Sequence, residues 1–104
     1  MAFADNLLKL PSIDGLAALH LRDASGTLIA SIENKPGKKG SLSIYAALAA
    51  KHGGINPAAA QEGLELFAEH TADARANPGA HPNIDRLLQI IESGQSLQVE
   101  RVEA

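Results

Sequence analysis

The chain has 104 residues, which is too short for a second hydrophobic core. Of these residues 45% are hydrophobic and 20% charged, a composition typical of a folded globular domain. It contains no cysteine, which excludes disulfides, thiol nucleophiles and cysteine-ligated metal sites. The net charge of −3 does not support a general attraction to nucleic acid or to an anionic membrane. No apolar run approaches the ~18 residues of a membrane span, and the first residues do not resemble a signal peptide. We therefore expect a cytoplasmic protein.

The N-terminal third predicts a short helix followed by a β-hairpin. Apolar residues at helical spacing begin at Phe3 and stop before Pro11. Two alternating runs, 16–22 and 27–33, flank the turn-rich tetrad 23–26, as in a hairpin. Pairing the ends of the runs places Leu21 opposite Leu28 and Leu19 opposite Ala30. One face of the hairpin would then carry Leu19, Leu21, Leu28 and Ile32.

Three helices and a last strand are predicted for the rest of the chain. Ser41 is expected to cap a helix that runs to His52 and stops at Gly53. Asn56 and Pro57 open a helix expected to continue to Ala76. The third helix starts near Pro82 or Asn83 and stops at Gly94, and alternation after residue 96 predicts a short strand.

These elements predict an α+β fold of one domain, residues 1–104. A hairpin alone is marginally stable in water and leaves an apolar face to be covered. We therefore expect the C-terminal strand to join the hairpin as a third strand, and three to four helices to pack against the sheet.

A basic loop between the second strand and the next helix is the first candidate site. Its candidate residues for binding an anion or an acidic partner are Lys35, Gly37, Lys38, Lys39, Gly40 and Ser41. A helix N-terminus offers free N–H groups and a positive dipole, and the ammonium groups add charge. The spacing does not match a Walker A loop. The alternative is an ordinary solvated turn around Pro36 and Gly37.

The predicted second helix carries an acidic face of Glu62, Glu65, Glu69 and Asp73. Like charges four residues apart repel each other, and the lysine loop of the same or a neighbouring molecule could relieve that repulsion. A plain solvated face is the competing interpretation. Pairing between the acidic face and the loop of a neighbouring chain would make the protein a homo-oligomer.

Four residues could form a metal or acid–base site if the second and third helices pack as a hairpin: His70, Asp73, His81 and Asp85. No established metal motif or nucleophile elbow accompanies them, so we assign no catalytic residue and no cofactor. The simpler interpretation of His81, which precedes Pro82, is that it shapes a turn and caps the third helix.

The segment 50–57 and the helix after it have the spacing of a DNA-binding helix-turn-helix. The would-be recognition helix offers three alanines and then glutamates, which phosphates would repel. We expect no nucleic-acid partner.

Four stretches resemble a small family of uncharacterised bacterial proteins, a domain of unknown function: Phe3–Leu7, Ile32–Ser41, Phe67–Thr71 and His81–Arg86. The resemblance extends over nearly the whole chain and implies a bacterial origin. It implies no activity, ligand or catalytic residue. The sequence thus favours a non-enzymatic binding or interaction module, with a metal-dependent or acid–base enzyme and a self-associating structural protein as alternatives.

Overall fold

A computed structural model describes residues 3–104. In chain order the elements are α1 (Phe3–Leu7), β1 (Leu16–Arg22), β2 (Leu28–Glu33), α2 (Lys39–His52), α3 (Pro57–Phe67), α4 (Glu69–Ala76), α5 (Pro82–Ser93) and β3 (Gln98–Glu103). The α+β class and the third C-terminal strand are therefore confirmed. No helix within 3–104 has the length and hydropathy needed to cross a membrane.

The sheet is antiparallel with β1 in the centre, in the order β2-β1-β3. Leu19, Leu21 and Ile32 are buried on the face that α2 contacts, while His20 and Arg22 lie on the opposite face. On that outer face Arg22 donates two hydrogen bonds to Glu100 of β3. The alternation of apolar and polar residues in β1 therefore corresponds to a covered and a solvated side, as expected for an antiparallel sheet.

The predicted register of the hairpin is wrong by two residues. Leu19 pairs with Ile32 and Leu21 with Ala30, whereas Arg22 pairs with Leu28 across an irregularity between Leu21 and Arg22. The turn causes the shift, because the N–H of Asp23 donates to the carbonyl of Thr27 and the Asp23 carboxylate accepts the N–H groups of Ser25 and Thr27.

An even shift keeps each strand on its predicted face, except where the bulge intervenes. Leu28 therefore leaves the apolar face, and both Leu28 and the neighbouring Ile29 are 47% exposed.

Helix boundaries marked by glycine or by an Asn-Pro pair are where the sequence predicts them. Gly53 and Gly94 both adopt the left-handed conformation and donate a backbone hydrogen bond to the helix they end. The Asn56 side chain accepts the N–H of Ala59 at 2.7 Å, which caps α3. The predicted cap at Ser41 is wrong: α2 begins at Lys39, because the turn before it leads directly into the helix, and no side chain caps it.

The predicted helix from Pro57 to Ala76 is two helices, which meet at Ala68. This residue has φ 51° and ψ −119°, a conformation that an alanine rarely adopts. In a continuous helix the backbone carbonyls of this region would accept N–H groups one turn further on. Here two of them accept hydrogen bonds from buried polar side chains instead. Thr71 Oγ1 donates to the Leu64 carbonyl at 2.6 Å, and Asn6 Nδ2 donates to the Leu66 carbonyl at 3.0 Å. The chain therefore turns at Ala68, and α4 leaves in a new direction.

α3 is the helix around which the others pack, since it contacts α1, α2, α4 and α5. Gly63 lies at its tightest contact: a Cβ atom there would be 2.7 Å from Leu87 Cδ1 and 2.9 Å from Leu48 Cδ1. The absence of a side chain at Gly63 allows α3 to lie close to both α2 and α5.

Candidate functional site

The basic loop contains a tight turn that leads into α2. The N–H of Lys38 donates to the Lys35 carbonyl at 2.9 Å, with Pro36 and Gly37 between them. Gly37 has φ 85°, which a glycine at the third position of a type II turn adopts without strain. The Asn34 side chain fixes the start of the loop, because its Nδ2 donates to the Leu16 carbonyl at 2.7 Å. The loop is thus attached to the sheet at one end and to α2 at the other.

The three lysines of the loop are exposed but are not equivalent. Lys35 forms an ion pair with Glu33 at 3.1 Å. Lys38 is the N-cap residue of α2 and Lys39 its first residue. Within residues 3–104 no side chain caps α2, so no side-chain oxygen accepts the backbone N–H groups of its first turn. Positive charge and free donors are therefore concentrated at Lys38 and Lys39.

A cavity of about 390 Å³ opens beside the first turn of α2. It brings together four of the six candidate loop residues and two of the candidate histidines, which are far apart in sequence. Its lining consists of Phe3, Leu7, Gly37, Lys39, Gly40, Ser41, Phe67, His70, His81 and Ile84. Lys35 and Lys38 are not part of this lining.

Phe3 joins the parts of the cavity wall to one another. Its ring stacks on Phe67, with centroids 5.9 Å apart, and meets the His70 ring edge-on at 4.6 Å. A Cβ atom on Gly40 would lie 2.6 Å from Phe3 Cζ, so this glycine makes room for the Phe3 ring on the first turn of α2. The Phe3 N–H donates to Glu69 Oε1 at 2.8 Å. Helix α1 is thereby held against both α2 and α4.

The two histidines of the cavity are neighbours, with ring centroids 5.7 Å apart. His81 Nε2 lies 2.6 Å from Asp73 Oδ2, and this hydrogen bond is the main cause of a lowered pKa of Asp73. The prediction that His81 caps the third helix is wrong for its side chain: His81 is the N-cap residue of α5, but its ring points to α4. Pro82, which follows it, fixes the helix start instead.

Asp85, the fourth residue of the proposed metal or acid–base site, forms its hydrogen bond with a different part of the chain and not with the other three. Asp85 Oδ2 accepts the N–H of Gly79 at 2.9 Å and so closes the turn before α5. Among residues 3–104, no group of three His, Asp or Glu side chains is arranged to hold a metal ion.

The four acidic residues do not form one charged face, because the break at Ala68 places them on two helices, and three of them have local partners. Glu62 accepts hydrogen bonds from Lys51 at 2.9 Å and lies 3.1 Å from His52 Nε2. Lys51 is the main cause of its lowered pKa. The pKa of Glu69 is lowered chiefly by the hydrogen bond from the Phe3 N–H. The predicted continuous acidic face is therefore wrong, and no ion pair joins its residues to the lysine loop within residues 3–104.

A partly buried polar cluster holds the start of α5 next to the cavity. The Tyr45 hydroxyl donates to the Asn83 carbonyl and accepts a hydrogen bond from Arg86 Nη1 at 3.2 Å. Arg86 Nη1 also donates to Asn83 Oδ1 at 2.8 Å. Burial raises the pKa of Tyr45 to about 12. These bonds join α2 to the first turn of α5, and so fix the position of His81 relative to Lys39.

Sequence reasoning identifies the loop and the histidines but not the apolar part of the site. The spacing of apolar residues assigns Phe3 to a short first helix and Phe67 to the buried side of a later helix, and predicts no role in a site for either. The available signal was the scarcity of aromatic residues: the chain has two phenylalanines and one tyrosine, and both phenylalanines line this cavity.

A family described as uncharacterized proteins conserved in bacteria (DUF2322) matches residues 3–101. Neither the curated proteins nor the solved structures contain a match to this chain. The matched region covers nearly all of the 104 residues, and the predicted resemblance to an uncharacterised bacterial family is confirmed. The chain belongs to this family of uncharacterised bacterial proteins.

Proposed function

We propose that this protein is a small binding module, rather than an enzyme, and that it binds an anion in the cavity beside the first turn of α2. The observation that carries the proposal is the shared lining: Lys39, Gly40 and Ser41 of an uncapped helix start border the same 390 Å³ space as His70 and His81. The helix dipole and the ammonium group favour negative charge there. The imidazoles add hydrogen-bonding groups that can donate or accept.

The electrostatics of the surroundings also support an anion. Glu69 and Asp73 are the carboxylates nearest the histidines in the chain, and each already accepts hydrogen bonds, from the Phe3 N–H and from His81. Their negative charge is thus partly balanced on the protein itself, while the Lys39 side chain is exposed and forms none of the ion pairs of residues 3–104.

The test is a titration with inorganic phosphate, followed through the backbone amide shifts of residues 37–42. We expect these shifts to saturate, and we expect Lys39→Gln to weaken binding about fivefold, the effect of one charge at a helix start. Lys51→Gln is the matched control, because it removes the same charge from the other end of the same helix. The proposal fails if residues 37–42 respond to neither phosphate, nucleotides nor acidic peptides, or if both variants bind equally.

An acid–base or metal site is the second candidate function. It would use Asp73, His81 and the neighbouring His70 without Asp85, and a metal ion would have to draw the three side chains together from their present arrangement. The hydrogen bond between Asp73 and His81 favours it, because a carboxylate can orient an imidazole for proton transfer or metal binding. Titration with zinc or manganese separates the two candidates, and His70→Ala should then abolish the response. Self-association through the basic loop has less support, since Glu62 and Asp73 already have partners on their own chain.

A further inference from the structure

The cavity is larger and more apolar than an inorganic anion requires. Its volume of about 390 Å³ falls in the range of sites for small organic molecules, roughly 300–1,000 Å³. A water molecule takes about 30 Å³, so a bare phosphate would leave most of the space hydrated. Four apolar side chains from three helices line it: Phe3, Leu7, Phe67 and Ile84. An apolar ligand group would release water from that wall.

The polar part of the lining contains the His70 imidazole, which has no hydrogen-bond partner within the described residues 3–104. Among residues 3–104, the His70 ring contacts Phe3 and His81, but its two nitrogens make no hydrogen bond. His81 differs, because its Nε2 is engaged by Asp73. His70 is partly buried in the cavity wall between an aromatic ring and a second imidazole. A ligand that lies along Phe3 can therefore also hydrogen-bond to His70.

From this juxtaposition of wall and donors we infer that the ligand is an organic anion, in which a phosphate or carboxylate is attached to a flat apolar group. The anionic group lies at Lys39 and Ser41, and the apolar group lies against Phe3 and Leu7. The inference rests on the proposed function, and adds to it that the apolar group supplies a large part of the affinity. Burial of about 60 Å² of apolar ligand surface is worth about a tenfold gain in affinity.

The experiment compares three probes that separate charge from apolar surface: phenyl phosphate, methyl phosphate and benzyl alcohol. Binding to the full chain is followed through amide and methyl shifts. We expect phenyl phosphate to bind at least about tenfold more tightly than methyl phosphate, and benzyl alcohol to bind more weakly than either. Phenyl phosphate, but not methyl phosphate, should cause ring-current shifts at the Leu7 methyl groups.

Phe3→Ala should bring the ratio of phenyl phosphate to methyl phosphate affinity close to one. Leu8→Ala is the matched control, because Leu8 is 85% exposed and lies outside the cavity lining. If Phe3→Ala unfolds, the Leu7 ring-current shifts in the unmodified protein decide the question on their own.

Equal binding of phenyl and methyl phosphate would overturn this inference and leave the anion site standing. The absence of binding by both phosphate esters would overturn the inference, and the proposed function would fail with it only if residues 37–42 also gave no response to inorganic phosphate, nucleotides and acidic peptides. Binding of benzyl alcohol as tight as that of phenyl phosphate would overturn both, because the anionic group would then contribute nothing.

Discussion

The buried hydroxyl of Tyr45 should make the stability of this protein fall at alkaline pH. Its pKa is raised from 10.0 to about 12 because burial opposes formation of the phenolate. A group whose pKa is higher in the folded than in the unfolded state contributes stability that is fully present below its unfolded pKa. That contribution is lost as the pH rises from 10 to 12. The Arg86 guanidinium beside the hydroxyl favours the phenolate but does not outweigh burial.

The size of the effect follows from the two pKa values. Proton linkage between 10.0 and about 12 gives a loss of about 2 kcal/mol in the free energy of unfolding by the upper end of that range. Replacement of Tyr45 by Phe removes the ionisation. It also leaves the Asn83 carbonyl without its donor, which should cost about 2 kcal/mol at neutral pH. The wild-type protein should therefore be the more stable of the two at neutral pH, and the difference should approach zero near pH 12.

Two measurements test this reasoning. Tyr45 is the only tyrosine and the chain has no tryptophan, so near-ultraviolet phenolate absorbance reports this residue alone. Urea unfolding of the wild type and Tyr45→Phe, at several pH values, gives the free-energy difference. The reasoning is refuted if phenolate forms near pH 10 while the protein remains folded. A free-energy difference that does not change with pH would refute it as well.

Ala68→Gly should stabilise the protein by about 1 kcal/mol, because relief of the strained backbone conformation exceeds the entropy cost of a glycine. Ala72→Gly, at an exposed position within α4, is the control and should lower the free energy of unfolding, as measured by urea unfolding of both variants. Gly63→Ala should destabilise the protein by about 1–3 kcal/mol despite a better helix propensity, since the new methyl group meets Leu87 and Leu48. The cost should be smaller in a Leu87→Val background, and an equal cost in both backgrounds would contradict the packing argument.

The parts of the fold set by local chemistry could be predicted from the sequence. Gly53, Gly94 and the pair Asn56-Pro57 act within one turn of their own helix, so their effect is visible in the residues themselves. The alternation in β1 is equally local, and from Leu19 to Arg22 it shows which residues face the core. It fails at Leu16, which is buried on the other side of an irregularity in the pairing of β1 with β3.

The errors in the fold arise where distant or turn-specific contacts decide the structure. The break at Ala68 depends on Asn6, which is 60 positions from the carbonyl that it binds. Neither Ala68 nor its neighbours are helix breakers by type, so the pattern continues across the break. The hairpin register depends on the Asp23 side chain, whose bonds to Ser25 and Thr27 pair Asp23 with Thr27.

The same difference between local and distant contacts decides which parts of the candidate site could be predicted. The lysines and the following helix start are adjacent in sequence, which is why the loop could be proposed without a structure. Phe3, His70 and His81 belong to three separate elements or connections, and only the fold brings them beside Lys39. The set of histidines and aspartates proposed from helix spacing was partly assembled by the fold, since Asp73 and His81 meet and Asp85 closes a turn.

The position of β1 in the centre of the sheet has a consequence for biosynthesis. Its two partner strands, β2 and β3, are synthesised at very different times. β2 follows β1 directly, whereas Glu100 of β3 is 78 positions after Arg22, the β1 residue that it binds. While a ribosome is still adding the helices, the edge of β1 that β3 will cover is unpaired, and other nascent chains could occupy it. Completion of the sheet must await translation of Gln98–Glu103, so contacts of long sequence separation should limit the rate of folding.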